Sequence, residues 1–154
     1  MHLTFDPNLD YQQIAVKSIV GLFEGQPFTD GLIPTGNANM QSLFGTFGNT
    51  LLISQERILK NLQSIQAENG IAISDTLAGM HFSVEMETGT GKTYVYLRTI
   101  YELNKIYGFK KFVIVVPSVA IRVGVFKNLE ITYQHFQTLY EKPLIHFMSD
   151  FSFI

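Results

Sequence analysis

The chain has 154 residues, of which 46% are hydrophobic and 16% charged, with a net charge of −2 and no cysteine. That length supports one domain with a real core, while the missing cysteines exclude a disulfide framework and a thiolate metal site. The near-neutral charge excludes a global basic field of the kind that draws nucleic acid. The N-terminus has no charged segment leading into an apolar core, and no apolar run reaches the roughly 18 residues a membrane span needs, so a cytoplasmic protein with no membrane contact is expected. The charged fraction lies below the soluble average of about 25%, and 13 Phe and 7 Tyr make the chain aromatic. Two readings fit that balance: an ordinary apolar-rich domain, or one whose apolar surface is covered by something else.

Residues 3–10 read as an extended lead-in, in which Pro7 keeps Asp6 out of the helical region. Asp10 is placed to cap a helix over 11–24 that Gly25 closes. Gln12 sits at the start of that helix, and its amide can both donate to and accept from the edge of an adenine ring. The other reading is an exposed glutamine at a helix N-terminus, and a phosphate loop downstream favours the first. Residues 25–50 are dense in Gly, Asn, Thr and Pro and read as a loop or insertion. Ser54 then caps a helix through 68, with Ile58, Leu59, Leu62 and Ile65 on one face and Asn69-Gly70 at its end.

Residues 81–86 read as a strand and 94–107 as a helix. Between them runs Glu87-Thr88-Gly89-Thr90-Gly91-Lys92-Thr93. Strand, glycine-rich turn, Lys-Thr and helix is the order of a phosphate-binding loop. Gly89 and Gly91 allow the backbone to curl so that N–H groups point inward, and the helix start adds its own unpaired amides. Lys92 is expected on the β- and γ-phosphates and Thr93 on a magnesium ion, making these two the catalytic candidates. Thr88, Gly89, Thr90 and Gly91 complete the nucleotide-binding set. Met86 stands where the general pattern has its first glycine. That departs from nucleotide kinases and small GTPases and fits the shorter Thr-Gly-x-Gly-Lys-Thr core of helicases.

Gly108 follows the helix as its C′ residue, and Phe112-Val113-Ile114-Val115-Val116 reads as a buried parallel strand. Pro117 stops it, and Ser118 caps a helix from 119 to about 129, continuing through 132–140. Residues 144–148 read as a third strand. Alternating strands and helices predict an α/β domain, a parallel sheet flanked by helices.

Residues 86–103, METGTGKTYVYLRTIYEL, resemble motif I of superfamily 2 helicase-like proteins, and specifically the Res subunit of type III restriction–modification enzymes. Residues 113–132, VIVVPSVAIRVGVFKNLEIT, resemble motif Ia of the same subunits, and Tyr11-Gln12 the upstream glutamine motif. The segment Asn61-Leu62-x-x-Ile65-Gln66 resembles the helix those subunits insert before motif I. The resemblance covers most of residues 8–140. It implies a partial RecA-like P-loop NTPase domain, with 1–154 the N-terminal part of the first motor domain and 25–79 an insertion. The rest of the motor and the nuclease are expected outside this chain.

The resemblance further implies ATP and Mg2+ as cofactors and double-stranded DNA as partner. It also implies a Mod methyltransferase subunit that uses S-adenosylmethionine, and an ATP-driven translocase and endonuclease as the whole enzyme. Gln12 takes adenine, and Pro117, Ser118 and Arg122 contact the DNA backbone. A hydroxyl and free N–H groups at a helix start suit a phosphate, although Ser118 also reads as a plain N-cap and Arg122 as a surface ion-pair partner. Val123 stands where an acidic residue is expected. No Asp-Glu-x-His-like motif follows an apolar strand, so this piece alone is expected to be inactive in ATP turnover. Another superfamily 2 DNA or RNA translocase, a type I restriction motor, and a non-catalytic remnant remain as alternatives.

Overall fold

The computed structural model describes residues 5–29 and 49–141. Among them run four helices: α1 (Asp10–Gly21), α2 (Gln55–Glu68), α3 (Lys92–Tyr107) and α4 (Val119–Tyr140). Most of the insertion expected at 25–50 lies outside the described residues.

Helix α3 is central because it carries two apolar stripes. Val95, Leu103 and Tyr107, at spacings of eight and four, join Ala15, Val16 and Val20 of α1 in one cluster. Tyr94, Leu97 and Tyr101, at spacings of three and four, join Phe136 of α4 in a second. Both spacings bring side chains to one helix face, and the stripes sit on different faces because they are offset by one to two residues. Leu97 and Ile58 are fully buried, and Phe136 is 1% exposed. The second cluster is largely aromatic, with ring centroids 5.2 Å apart for Tyr94–Phe136, 4.8 Å for Tyr101–Phe136 and 5.0 Å for Tyr101–Tyr140. Such offset stacks add to the stabilisation from burial.

The helix ends show how local chemistry sets the elements. Ser54 accepts from Arg57 N (3.3 Å) and Ser118 from Ile121 N (3.3 Å), the caps the sequence predicts. Helix α1 differs. Its N-cap is Leu9, with no side-chain cap bond, and Asp10 lies in the first turn. There its carboxylate still faces the positive helix end. The helix stops at Gly21, short of 24, because the next amides bond three residues back: Phe23 N to Val20 O at 3.1 Å and Glu24 N to Gly21 O at 3.0 Å. Buried Asn61 of α2 clasps this turn by donating from Nδ2 to Leu22 O (3.0 Å) and Glu24 O (2.9 Å). Helix α4 is one unbroken element of 22 residues.

The expected α/β architecture with a parallel sheet is corrected by the structure: the described residues hold four helices and no strand. Residues 81–86 and 112–116 exchange no ladder hydrogen bonds, and residues 144–148 lie outside the described set. The continuous apolar run that suggested a buried strand at 112–116 is buried on one side only. Phe112 and Ile114 pack on the two clusters, while Val113 and Val115 are 89% and 87% exposed. A period of two shows that a segment is half-buried. A strand additionally needs a neighbour with which to exchange N–H and C=O bonds.

Candidate functional site

The loop before α3 has the curled backbone that its glycines predict. Gly89 and Gly91 both take φ of 85°, and Gly91 is the left-handed N-cap of α3. Gly91 is required twice over. Its φ disfavours any side chain, and a Cβ there would lie 2.6 Å from Gln12 Nε2. The first bond of the helix ladder runs from Val95 N to Gly91 O (3.0 Å). The amides of Lys92, Thr93 and Tyr94 therefore precede the ladder, at the positive end of the helix.

Three side chains hold the loop shut. Thr90 donates from Oγ1 to Glu87 O at 2.7 Å. Lys92 folds back and donates from Nζ to Met86 O (2.5 Å) and Glu87 O (2.6 Å). Gln12, 6% exposed, reaches across 78 residues of sequence to donate from Nε2 to Thr90 O at 2.9 Å. The loop thus closes around a positive charge that a phosphate group can claim by displacing two carbonyls. Met86 packs against the α1–α3 cluster, which explains the side chain at the position of the missing glycine: it anchors the loop's first residue to the core.

Above the loop lies an open cleft of about 450 Å³. Its lining includes Gln12, Thr88, Gly89, Gly91, Lys92 and Thr93, so the structure brings these predicted nucleotide-site residues together, while Thr90 is outside the lining and donates to Glu87 O. Four lining residues escaped the sequence reading: Phe5, Asp6, Tyr94 and Asn128. Only Tyr94, adjacent to the Lys-Thr pair, carried a local signal. Phe5 stacks on Tyr94 (6.0 Å, 7°), and Arg98 donates from Nη1 to Pro7 O at 2.5 Å, which ties the lead-in to α3. Tyr94 OH meets His135 Nε2 of α4 at 2.9 Å. Burial pushes the Tyr94 phenol above its usual range, and burial first, then the Arg98 charge, lowers the His135 imidazole.

Pro117, Ser118 and Arg122 sit at the N-terminal end of α4 and do not line the cleft. The Ser118 hydroxyl acts as the helix cap, accepting from Ile121 N. No group of three or more metal-ligating side chains occurs among the described residues, nor any helix long and apolar enough to cross a membrane.

The chain matches the family model described as type III restriction enzyme, res subunit, over residues 8–146. It is 33% identical over 148 residues to the type III restriction-modification enzyme EcoP15I Res subunit of Escherichia coli, an alignment covering 92% of this chain and 14% of that protein. It is 31% identical over 151 residues to the EcoPI Res subunit of Escherichia phage P1, with the same coverage of each. A shorter match to the StyLTI Res subunit of Salmonella typhimurium is 52% identical over 63 residues, covering 40% of this chain and 6% of that protein. The chain therefore spans about 14% of the length of the first two relatives.

Proposed function

The chain belongs to the type III restriction enzyme Res-subunit family, and from that membership and its phosphate loop we propose that it is the ATP-binding, N-terminal portion of such a subunit. The observation that carries the reading is the loop itself. Gly89 and Gly91 turn the backbone, and Lys92 and Thr93 stand at the head of α3, above a cleft that also holds Gln12. Lys92 leaves the Met86 and Glu87 carbonyls to meet the β- and γ-phosphates. The free amides at the head of α3 receive phosphate oxygens, and the Thr93 hydroxyl holds the Mg2+ that accompanies ATP. That ion, when bound, neutralises charge on the phosphates during transfer. Gln12 keeps Thr90 in place and offers its remaining amide oxygen to the adenine edge.

In the whole enzyme, this portion would serve an ATP-dependent DNA translocase and endonuclease that acts in the cytoplasm with a Mod partner on double-stranded DNA. Pro117, Ser118 and Arg122 then contact the DNA backbone, supported by their place at a helix N-terminus. The test is calorimetric titration of Mg-ATP into the wild-type chain and Lys92→Ala. Binding to the first and its loss in the second are expected; equal affinity would overturn the assignment.

A further inference from the structure

The lead-in is docked by its backbone and by its ring. Pro7 O accepts from Arg98 Nη1 of α3 (2.5 Å) and from Gln13 Nε2 of α1 (3.3 Å). Phe5 closes a triangle of rings with Tyr94 of α3 and His135 of α4. The centroids lie 6.0 Å apart for Phe5–Tyr94, 5.4 Å for Phe5–His135 and 5.6 Å for Tyr94–His135. Phe5 and Tyr94 also line the cleft above the phosphate loop, as does Asp6. Whatever keeps Phe5 on His135 therefore keeps that wall of the cleft in place.

Of the three rings, only the imidazole changes charge near neutral pH. Its bond to Tyr94 does not oppose a proton: neutral Nε2 can accept from the tyrosine hydroxyl or donate to it, and the cation can still donate. The surroundings do oppose it. Phe5 and Tyr94 shield the ring from water, and the Arg98 guanidinium adds a like charge, burial being the larger effect. Of the carboxylates on the lead-in and α3, exposed Asp6 acts on Tyr94, and Glu102 accepts from Tyr140 Oη at 2.6 Å. Lifting Phe5 away returns water to one side of the imidazole and relieves the larger penalty.

We propose that the lead-in is a proton-sensitive strap: with His135 neutral it stays docked and walls the cleft, and protonation of His135 releases it while the four helices remain packed. The sign follows from linkage. The docked state holds the imidazole below its ordinary 6.5, so the released state binds the proton more tightly. Docking is complete above 6.5 and weakens as pH falls toward the docked value, by up to about tenfold per pH unit. The strap needs no nucleotide to work, so its test stands apart from that of the phosphate loop.

The experiment follows the His135 imidazole and the Phe5 ring protons by nuclear magnetic resonance between pH 7.5 and 5, with far-ultraviolet circular dichroism alongside. His135→Gln identifies the imidazole signal. In wild type, His135 should titrate below 6.5, and the Phe5 ring shifts should move toward their unstacked values with the same midpoint at constant helicity. Phe5→Ala should raise the His135 midpoint toward 6.5, with Phe5→Leu as the milder variant should the alanine chain fail to fold. His135→Gln should leave the Phe5 shifts flat across the range. A His135 midpoint that stays put or falls when Phe5 is truncated would overturn the strap. So would Phe5 shifts that ignore pH in wild type, or helices that melt at the same midpoint.

Discussion

Gln12 Nε2 donates to Thr90 O at 2.9 Å, and the same nitrogen lies where a Cβ on Gly91 would have to go. One buried amide on α1 thus sets both the position of the phosphate loop and the size of the residue allowed at its end. Gln12→Ala removes the donor and leaves the Thr90 carbonyl without it, at a cost of about 1–3 kcal/mol for a buried polar group. Mg-ATP affinity should fall by at least several-fold while the helical content stays the same. Calorimetry beside circular dichroism checks both.

Gly91→Ala strikes the same contact from the other side. The new Cβ meets Gln12 Nε2 at 2.6 Å on a backbone whose φ is 85°. Strain of about 1–3 kcal/mol is expected. Urea unfolding should show it as a lower midpoint at unchanged slope.

Thr93→Ala tests the magnesium role separately from the lysine. Affinity for ATP with Mg2+ should drop by about 3- to 10-fold, as one lost ligand hydroxyl implies. Affinity in excess chelator should not change. A uniform loss with and without metal would assign Thr93 to the helix start alone.

The aromatic cluster between α3 and α4 is tightly buried. Phe136 is 1% exposed and stacks on both Tyr94 and Tyr101. Phe136→Ala should cost about 3–5 kcal/mol. Leu97, fully buried in the same cluster, should cost about 2–5 kcal/mol as alanine. Denaturant titration measures both.

Stability should also fall in mild acid through His135. Burial and the Arg98 charge hold its folded pKa below the usual 6.5. The unfolded chain therefore binds more protons in the window below 6.5, so the contribution is complete above that pH and is lost as pH falls through the lower folded value. His135→Gln, which retains a polar partner for Tyr94, should flatten the difference in unfolding free energy between neutral and mildly acidic buffer.

Much of the site was legible because it is local. The phosphate loop is contiguous, and its glycines, lysine and threonine are read directly from 88–93. Ser54, Ser118 and Gly108 announced helix ends because capping involves only neighbours within a turn. The failures are long-range. Residues 112–116 show an apolar run, but nothing in five residues says whether a partner strand lies alongside or which side chains are covered. Asn128 carries no local mark of a binding residue and reaches the cleft only because α4 packs across α3. Asp10 was misplaced by one position, since its carboxylate is favourable both as a cap and in the first turn.

The stacked ring of Phe5 on Tyr94 has an optical consequence. The chain contains no tryptophan, so its ultraviolet emission comes from tyrosines. Tyr94, Tyr101 and Tyr140 crowd one cluster between α3 and α4, where rigid ring neighbours make their near-ultraviolet dichroism a report on helix docking. A single Phe5→Trp substitution would place the sole indole at the rim of the cleft, spectrally apart from that background. Emission excited on the red side of tyrosine absorption would then follow events in the cleft, while the tyrosine dichroism independently followed the integrity of the core beneath it.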